Sequence, residues 1–399
     1  MSHRLIAHSP DLRALRDDGL HLEVRGGHLV VRDVPYVTAS RQVRTDGVLI
    51  STLDTQVVDG VEVSARPVQH QVHWIGEHPC HADGSKIRSF EHPGTSQDLG
   101  QGLVTNHLFS AKADYRDYGH KMRAYLGWIV GEAQKLDPNA TAETHPVYAT
   151  DEHDDDPFHY IDTASSRVGI GGDNDKLQAE RLGIIGLGGT GSYVLDLVVK
   201  THVAEIRAFD ADGFDTHNAF RAPGAWSLQE LQTKRSKVQT YADLYGKLRR
   251  HGLSMHETKV TSANLELLEG LTFVFLCLDE GREKRAIIDW LKERSIPFTD
   301  VGMGVTRGPQ GLQGIVRVVT GAPGHYADAE PHLSCGDADE AENIYATNIQ
   351  IAELNALNAA MAVIRWKRLL GFYRDAGREH YSGYQIATGE MVVEAAEAA

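Results

Sequence analysis

Long apolar runs are missing from this 399-residue sequence: LTFVFLCL at 271–278 is among the longest and falls far short of the ~20 residues that span a bilayer. The opening MSHRLIAHSPDL carries no apolar stretch of the secretory kind, so the reading is a cytoplasmic protein without membrane attachment. Cysteine is scarce. Cys80, Cys277 and Cys335 are too few and too scattered for a disulfide framework, and no CxxC pair suggests structural zinc. Positive charge is in deficit: 40 Lys and Arg face 55 Asp and Glu, for a formal net charge of −15, which argues against nonspecific nucleic-acid or anionic-membrane binding by the chain as a whole. The 21 histidines are dispersed and show no HExxH or comparable ligand spacing. What remains is an ordinary globular composition, 41% hydrophobic and 24% charged, at a length that suits two or three domains.

The two parts of the chain differ in character. HLEVRGGHLVVRDV (21–34) and DGVLISTL (46–53) alternate apolar and polar residues between Gly and Asp turns, which is the strand signal. In 115–136, Tyr118, Met122, Tyr125, Leu126 and Ile129 recur at three- and four-residue spacing, as on an amphipathic helix. Residues 1–158 therefore read as a β-rich α+β domain. The segment DEHDDDP (151–157), with five carboxylates and a closing proline, reads as a solvated linker more readily than as a metal site. From about residue 181, short apolar strands alternate with helical stretches, the signature of a doubly wound, Rossmann-like parallel sheet over 159–399. The stretch 348–373 reads as one long helix with its Asn residues on a polar face or at a packing contact, and Thr388-Gly389 as the turn of a hairpin.

LGIIGLGGTGS places Gly186, Gly188, Gly189 and Gly191, followed by Ser192, between an apolar strand and a helix. Small residues there let backbone N–H groups approach phosphates, and the helix N-terminus adds partial positive charge. Asp210 ends the next strand, where a carboxylate can accept from ribose hydroxyls. These features alone fit an NAD-dependent oxidoreductase equally well. The polar set that follows separates the readings: Asp210, Asp212, Asn218 and Arg221 in one loop, Lys237 at a helix start and Asp279 at a strand end. Two cations and an acid around phosphates suit nucleotidyl transfer, in which charge accumulates on phosphoryl oxygens, better than hydride transfer.

This combination, GLGGTGS with D-x-D…N-x-x-R, a helix-start Lys and C-x-D at a strand end, resembles the ThiF/MoeB adenylyltransferases, the fold of ubiquitin-activating enzymes. The resemblance covers the last ~235 residues. It implies that Asp210 binds ribose, that Asn218 and Arg221 contact phosphates, that Lys237 neutralises the triphosphate, and that Asp279 holds Mg²⁺ near the α-phosphate of ATP. It further implies a homodimer in which Arg167 reaches across towards the γ-phosphate, and attack of a ubiquitin-like protein's C-terminal glycine carboxylate on ATP. Cys335 lies where relatives carry a thioester-forming cysteine, and a conjugating-enzyme-like partner would follow. Against this, Asp337, Asp339, Glu340 and Glu342 would raise the Cys335 pKa, and neighbouring Ser334 offers an oxyester alternative.

Cys277, inside FVFLCL, reads as a core residue, and Cys80, between His78 and His81, as part of a turn more readily than a ligand site. The first ~160 residues resemble a bacterial domain of unknown function fused to these adenylyltransferases, near ubiquitin-like and conjugation-like genes linked to phage defence. Activation of a sulfur-carrier protein in cofactor synthesis is the alternative within the same chemistry. A noncatalytic nucleotide-binding module is a further one.

Overall fold

The computed structural model describes residues 2–93, 96–150, 156–168, 170–278, 281–335 and 349–395. In the first part, the alternating segments become strands β1 (His21–Arg25), β2 (His28–Val37) and β3 (Val43–Thr52), joined by β4 (Gln71–Ile75), β5 (Glu91–His92) and β6 (His107–Ser110). They form a wholly antiparallel sheet in the order β1-β2-β3-β4-β6-β5. Helix α1 (Tyr118–Gln134) starts where the Asp117 carboxylate accepts from the His120 amide at 2.6 Å, satisfying one of the orphan donors of a first turn. It buries Tyr118, Met122, Tyr125, Leu126 and Ile129, the residues picked out by spacing, in a core shared with Leu49, Trp74 and Phe109.

The chain divides into two units by contact, Met1–Thr150 with Tyr160–Gly169 and Asp151–His159 with Ile170–Ala399. By this division the stretch around the expected boundary at 158/159 contributes to both units. Phe158 bridges to Arg249, and the His159 amide donates to the Leu248 carbonyl at 3.0 Å. Two residues on, the Ile161 amide donates to the Tyr148 carbonyl at 3.0 Å and returns the chain to the first unit.

The second unit is an α/β sheet of eight strands. In chain order it contains β7 (Arg181–Ile185), α2 (Gly189–Val198), β8 (Glu205–Phe209), α3 (Lys237–Tyr245), β9 (Leu253–His256), β10 (Phe273–Leu276), α4 (Arg282–Glu293), β11 (Phe298–Gly308), β12 (Gly311–Gly321), α5 (Ala352–Leu369), β13 (Glu379–Gln385) and β14 (Met391–Ala395). The sheet order is β9-β8-β7-β10-β11-β12-β13-β14. The first five are parallel, as the alternation of strands and helices implies. The remaining three run antiparallel, because only residues 309 and 310 connect β11 to β12 and so short a link must reverse the chain. Strand order reverses between β7 and β10, which opens a crevice at their carboxyl ends. No helix among the described residues is long and apolar enough to cross a membrane.

Lys121 is a charge set inside the first unit. Lys121 is 1% exposed, its Nζ donates to Ser51 Oγ at 2.8 Å and to the Gln69 carbonyl at 2.7 Å, and burial lowers its pKa to about 8. Below pH 8 both folded and unfolded chains carry this proton, so the desolvation cost is fully present. Between pH 8 and the unfolded value the folded state binds fewer protons, and stability rises with pH. Raising the pH from 7.5 to 9.5 is expected to add about 2 kcal/mol to the unfolding free energy from this group, seen as a difference between wild type and Lys121→Met in urea titrations at the two pH values.

Candidate functional site

At the crevice lies a cleft of about 570 Å³, built from the ends of β7, β8 and β10 and from α2 and α5. Its floor is the glycine loop. Gly186 has φ +91, a left-handed conformation, and a Cβ there would sit 2.5 Å from the Cys277 carbonyl oxygen. A Cβ on Gly191 would stand 1.9 Å from the Gly186 carbonyl oxygen, so the first turn of α2 packs directly on the loop. Gly188 differs: it is the N-cap of α2, no side chain caps that end, and the space in front of it is open. The first-turn amides are left to a ligand, where helix geometry favours an anion.

Asp210 closes β8 and holds this loop. Its Oδ2 accepts from the Leu187 amide at 2.7 Å, its Oδ1 accepts from the Asp212 amide at 2.8 Å, and Lys237 Nζ lies 3.2 Å from both oxygens. Lys237 sits in the first turn of α3, which Ser236 caps by accepting from the Gln239 amide. Its Nζ also pairs with Asp212 at 2.8 Å, and while Lys237 and Asp210 are buried, Asp212 is 76% exposed. Arg221 lines the cleft with its Nε enclosed and without a hydrogen-bond partner. Lys259, Arg282 and Lys284 complete the cations, and Lys284 pairs with Asp300 at 2.5 Å. Five cationic side chains therefore line the cleft against Asp210, Asp212 and Glu283 among the described residues, in a chain whose net charge is −15. Such a wall selects a polyanion.

The structure brings together Gly186, Gly188, Gly189, Gly191, Asp210, Asp212, Arg221 and Lys237. It places other expected site residues elsewhere. Ser192 is fully buried, and its Oγ donates to the Gly189 carbonyl at 2.7 Å, a bond within the helix. Asn218 is 4% exposed, and its Oδ1 accepts from the Asp215 amide at 2.8 Å, which caps a short turn and does not face the cleft. Arg167 is exposed on the short helix Thr163–Arg167 of the first unit. Asp279 lies outside the described residues; Leu278 and Gly281 on either side of it line the cleft. Cys277, expected in the core, sits one residue beyond β10 on the cleft wall, where burial raises its pKa.

Cys335 does not line the cleft. It is half-buried against a cluster that includes Ile287, Ile288 and Phe298, and burial is the leading cause that raises its pKa. The direction agrees with the sequence reading; Asp337, Asp339, Glu340 and Glu342, to which that reading ascribes it, lie outside the described residues, and Arg285 nearby acts in the opposite sense. Around Cys80, His78 and His81 the described side chains form no group that could hold a metal ion.

Asn355 and Asn358 of α5 were not picked out as site residues, although both line the cleft and are 1% exposed. Asn355 Oδ1 accepts from Thr190 Oγ1 at 3.0 Å and its Nδ2 donates to the Arg221 carbonyl at 3.4 Å; Asn358 Nδ2 donates to the Gly302 carbonyl at 3.1 Å. The signal was there: two amides three apart on an apolar helix face mark a buried polar contact.

The ThiF family model matches residues 164–394, and a model described as a domain of unknown function (DUF6791) matches residues 10–163. Among solved structures, Escherichia coli MccB with MccA-N7isoASN is 14% identical over 58% of this chain and 67% of its own, with a TM-score of 0.45. The same enzyme with ATP is 15% identical over 58% and 67%, with a TM-score of 0.43, and selenomethionine PaaA is 14% identical over 56% and 75%, also at 0.43. No curated protein matches the chain.

The two kinds of glycine give opposite expectations. Gly191→Ala, with a backbone oxygen 1.9 Å from the new methyl, is expected to lower the melting temperature by several degrees and to abolish ATP binding. Gly188→Ala points into open space and is expected to melt within ~1 °C of wild type yet bind ATP about tenfold more weakly, as checked by calorimetric titration.

Proposed function

The chain belongs to the ThiF family and is an adenylyltransferase-like enzyme, and from that premise we propose that it uses ATP to adenylate the C-terminal glycine of a ubiquitin-like protein and then passes the acyl group to Cys335. ATP-dependent adenylation of a protein or peptide carboxyl terminus is the broader reading, and the ubiquitin-like partner is the finer one. The observation that carries the proposal is the cationic cleft at the sheet's switch point, facing an uncapped helix N-terminus in an otherwise acidic chain.

Both oxygens of Asp210 are engaged and Lys237 is its counter-ion. A triphosphate offers Lys237 a stronger partner. Once Lys237 turns to the phosphates, the carboxylates it leaves, Asp210 and exposed Asp212, are free to accept from ribose hydroxyls. Arg221 supplies a second guanidinium whose enclosed Nε is unsatisfied until an anion arrives. Mg²⁺ suits this scheme because it binds through one or two carboxylates plus substrate phosphates, and Asp279, flanked by cleft residues, would hold it and help neutralise the phosphoryl charge.

The glycine carboxylate oxygen bonds to the α-phosphorus as the bond to the β-phosphate oxygen breaks, and pyrophosphate leaves. No general base is required, so positioning and charge neutralisation carry the step. The Cys335 thiolate then attacks the acyl carbon and AMP leaves. Arg167, exposed in the first unit, is the residue proposed to reach the phosphates of a second copy in a homodimer. The first unit is proposed to recruit the modifier or an acceptor, including a conjugating-enzyme-like protein.

ATP–pyrophosphate exchange with Mg²⁺ and each small glycine-terminated protein encoded nearby is the direct test. Exchange is expected to need both the partner and the cleft, falling about 100-fold or more in Lys237→Ala and Asp279→Ala. Absence of exchange with every candidate, alongside NADH binding tighter than ATP, would discard the reading. For the second step, Cys335→Ala is expected to keep exchange and lose the thiol-sensitive adduct. Because burial raises the Cys335 pKa, the thiolate fraction still grows above the usual thiol range. Adduct formation in single-turnover assays should therefore keep accelerating up to and beyond pH 9, while exchange stays flat.

A further inference from the structure

Away from the cleft, three side chains from separate elements converge: His332 of the turn Glu330–His332, His380 of β13 and Glu394 of β14, with one potential ligand atom from each within 4.8 Å of the others. We propose that these three residues form a transition-metal site, of zinc chemistry, that fastens the chain just before Cys335 to the C-terminal hairpin.

The backbone is arranged for this convergence. In the β13–β14 ladder Glu379 faces Ala395 and Tyr381 faces Glu394, so His380 is the extra residue of a bulge. A bulge re-aims a side chain that regular pleating would send to the opposite face from its neighbours, and here it lets His380 join Glu394. The His380 Nδ1 is enclosed and has no hydrogen-bond partner. An imidazole nitrogen enclosed in this way is costly unless something takes its lone pair or proton, and a metal ion does so. His332 Nε2 stands 3.2 Å from Glu394 Oε2, and the His332 and His380 rings lie 5.7 Å apart. A surface ion pair between His332 and Glu394 would explain the 3.2 Å contact but leaves both the bulge and the enclosed nitrogen without a role.

Two imidazoles and a carboxylate are borderline donors that favour Zn²⁺ over Mg²⁺ or Ca²⁺, and three protein ligands leave a fourth position for water. His332 is also tied inward, since its carbonyl accepts from Arg317 Nη1 at 3.1 Å and Arg317 Nη2 donates to Ser334 Oγ. A metal at His332 therefore fixes the base of the stretch that ends at Cys335 from two sides. The site is independent of the nucleotide chemistry proposed above.

The test uses the full chain without a polyhistidine tag, stripped with chelator, given Zn²⁺ and desalted, with metal content read by mass spectrometry. One Zn²⁺ per chain is expected in wild type and in Asp279→Asn. His380→Ala and Glu394→Gln should each weaken retention at least ~10-fold, and Co²⁺ should give the visible absorption of a four-coordinate site in wild type only. Zn²⁺ should raise the melting temperature of wild type and leave that of Glu394→Gln unchanged; this side chain is half exposed on an outer strand, so its replacement keeps the fold. Failure of wild type to retain Zn²⁺, or full retention by Glu394→Gln and His380→Ala, would overturn the proposal.

Discussion

The second unit's functional end is organised by one buried carboxylate. Asp210, 8% exposed at the end of β8, takes the amide of Leu187 from the glycine loop, the amide of Asp212 from its own loop and the ammonium of Lys237 from α3. Three chain segments thereby meet at two oxygen atoms. The charge is tolerable there because every acceptor is used. Without the carboxylate, Lys237 would be left as an uncompensated buried cation facing Asp212 alone, and the loop would lose the contact that sets its height above the sheet. Glycine at 186 and 191 is the steric counterpart of this bond, since the loop can lie that close to β10 and α2 only without a Cβ.

The cleft and Cys335 sit in opposite surroundings, one cationic and one apolar. Around the cleft, cations outnumber acids among the described residues although the chain as a whole is strongly acidic, so attraction of an anionic ligand is local and repulsion elsewhere keeps it local. Cys335 is half-buried on an apolar cluster, and burial pushes its thiol up from the ordinary value.

The parts legible in the sequence were those governed by local periodicity and steric necessity. Alternation over 21–53 gave the first hairpins, three- and four-residue spacing from Tyr118 to Ile129 gave α1, and Thr388-Gly389 marked the β13–β14 turn. The glycine loop and Asp210, Lys237 and Arg221, which the structure gathers at one cleft, were picked out because a strand–glycine–helix turn and nearby charges form a recognisable pattern. What escaped depends on tertiary contacts. Ser192 and Asn218 bond neighbouring backbone and do not line the cleft, and a motif cannot distinguish a side chain facing in from one facing the chain. The contribution of 156–168 to both units rests on Phe158 and His159 pairing with residues some 90 positions later, which no window of sequence contains. The bulge at His380 escaped for the same reason.

Asn355 shows what such a missed contact does. Its amide fills the space a Cβ on Gly189 would need, 2.3 Å away, while its Oδ1 accepts from Thr190 and its Nδ2 donates to the Arg221 carbonyl. One side chain of α5 thus braces the first turn of α2 and the segment that carries the cleft's free guanidinium. Because Asn355 is buried, neither contact can be exchanged for water at little cost, so displacement of that turn requires either a matching shift of α5 or loss of both bonds. Helix α5 is also the next described element of regular structure after Cys335 in the chain. The glycine loop and the segment bearing Arg221 are therefore joined through one side chain near the start of α5.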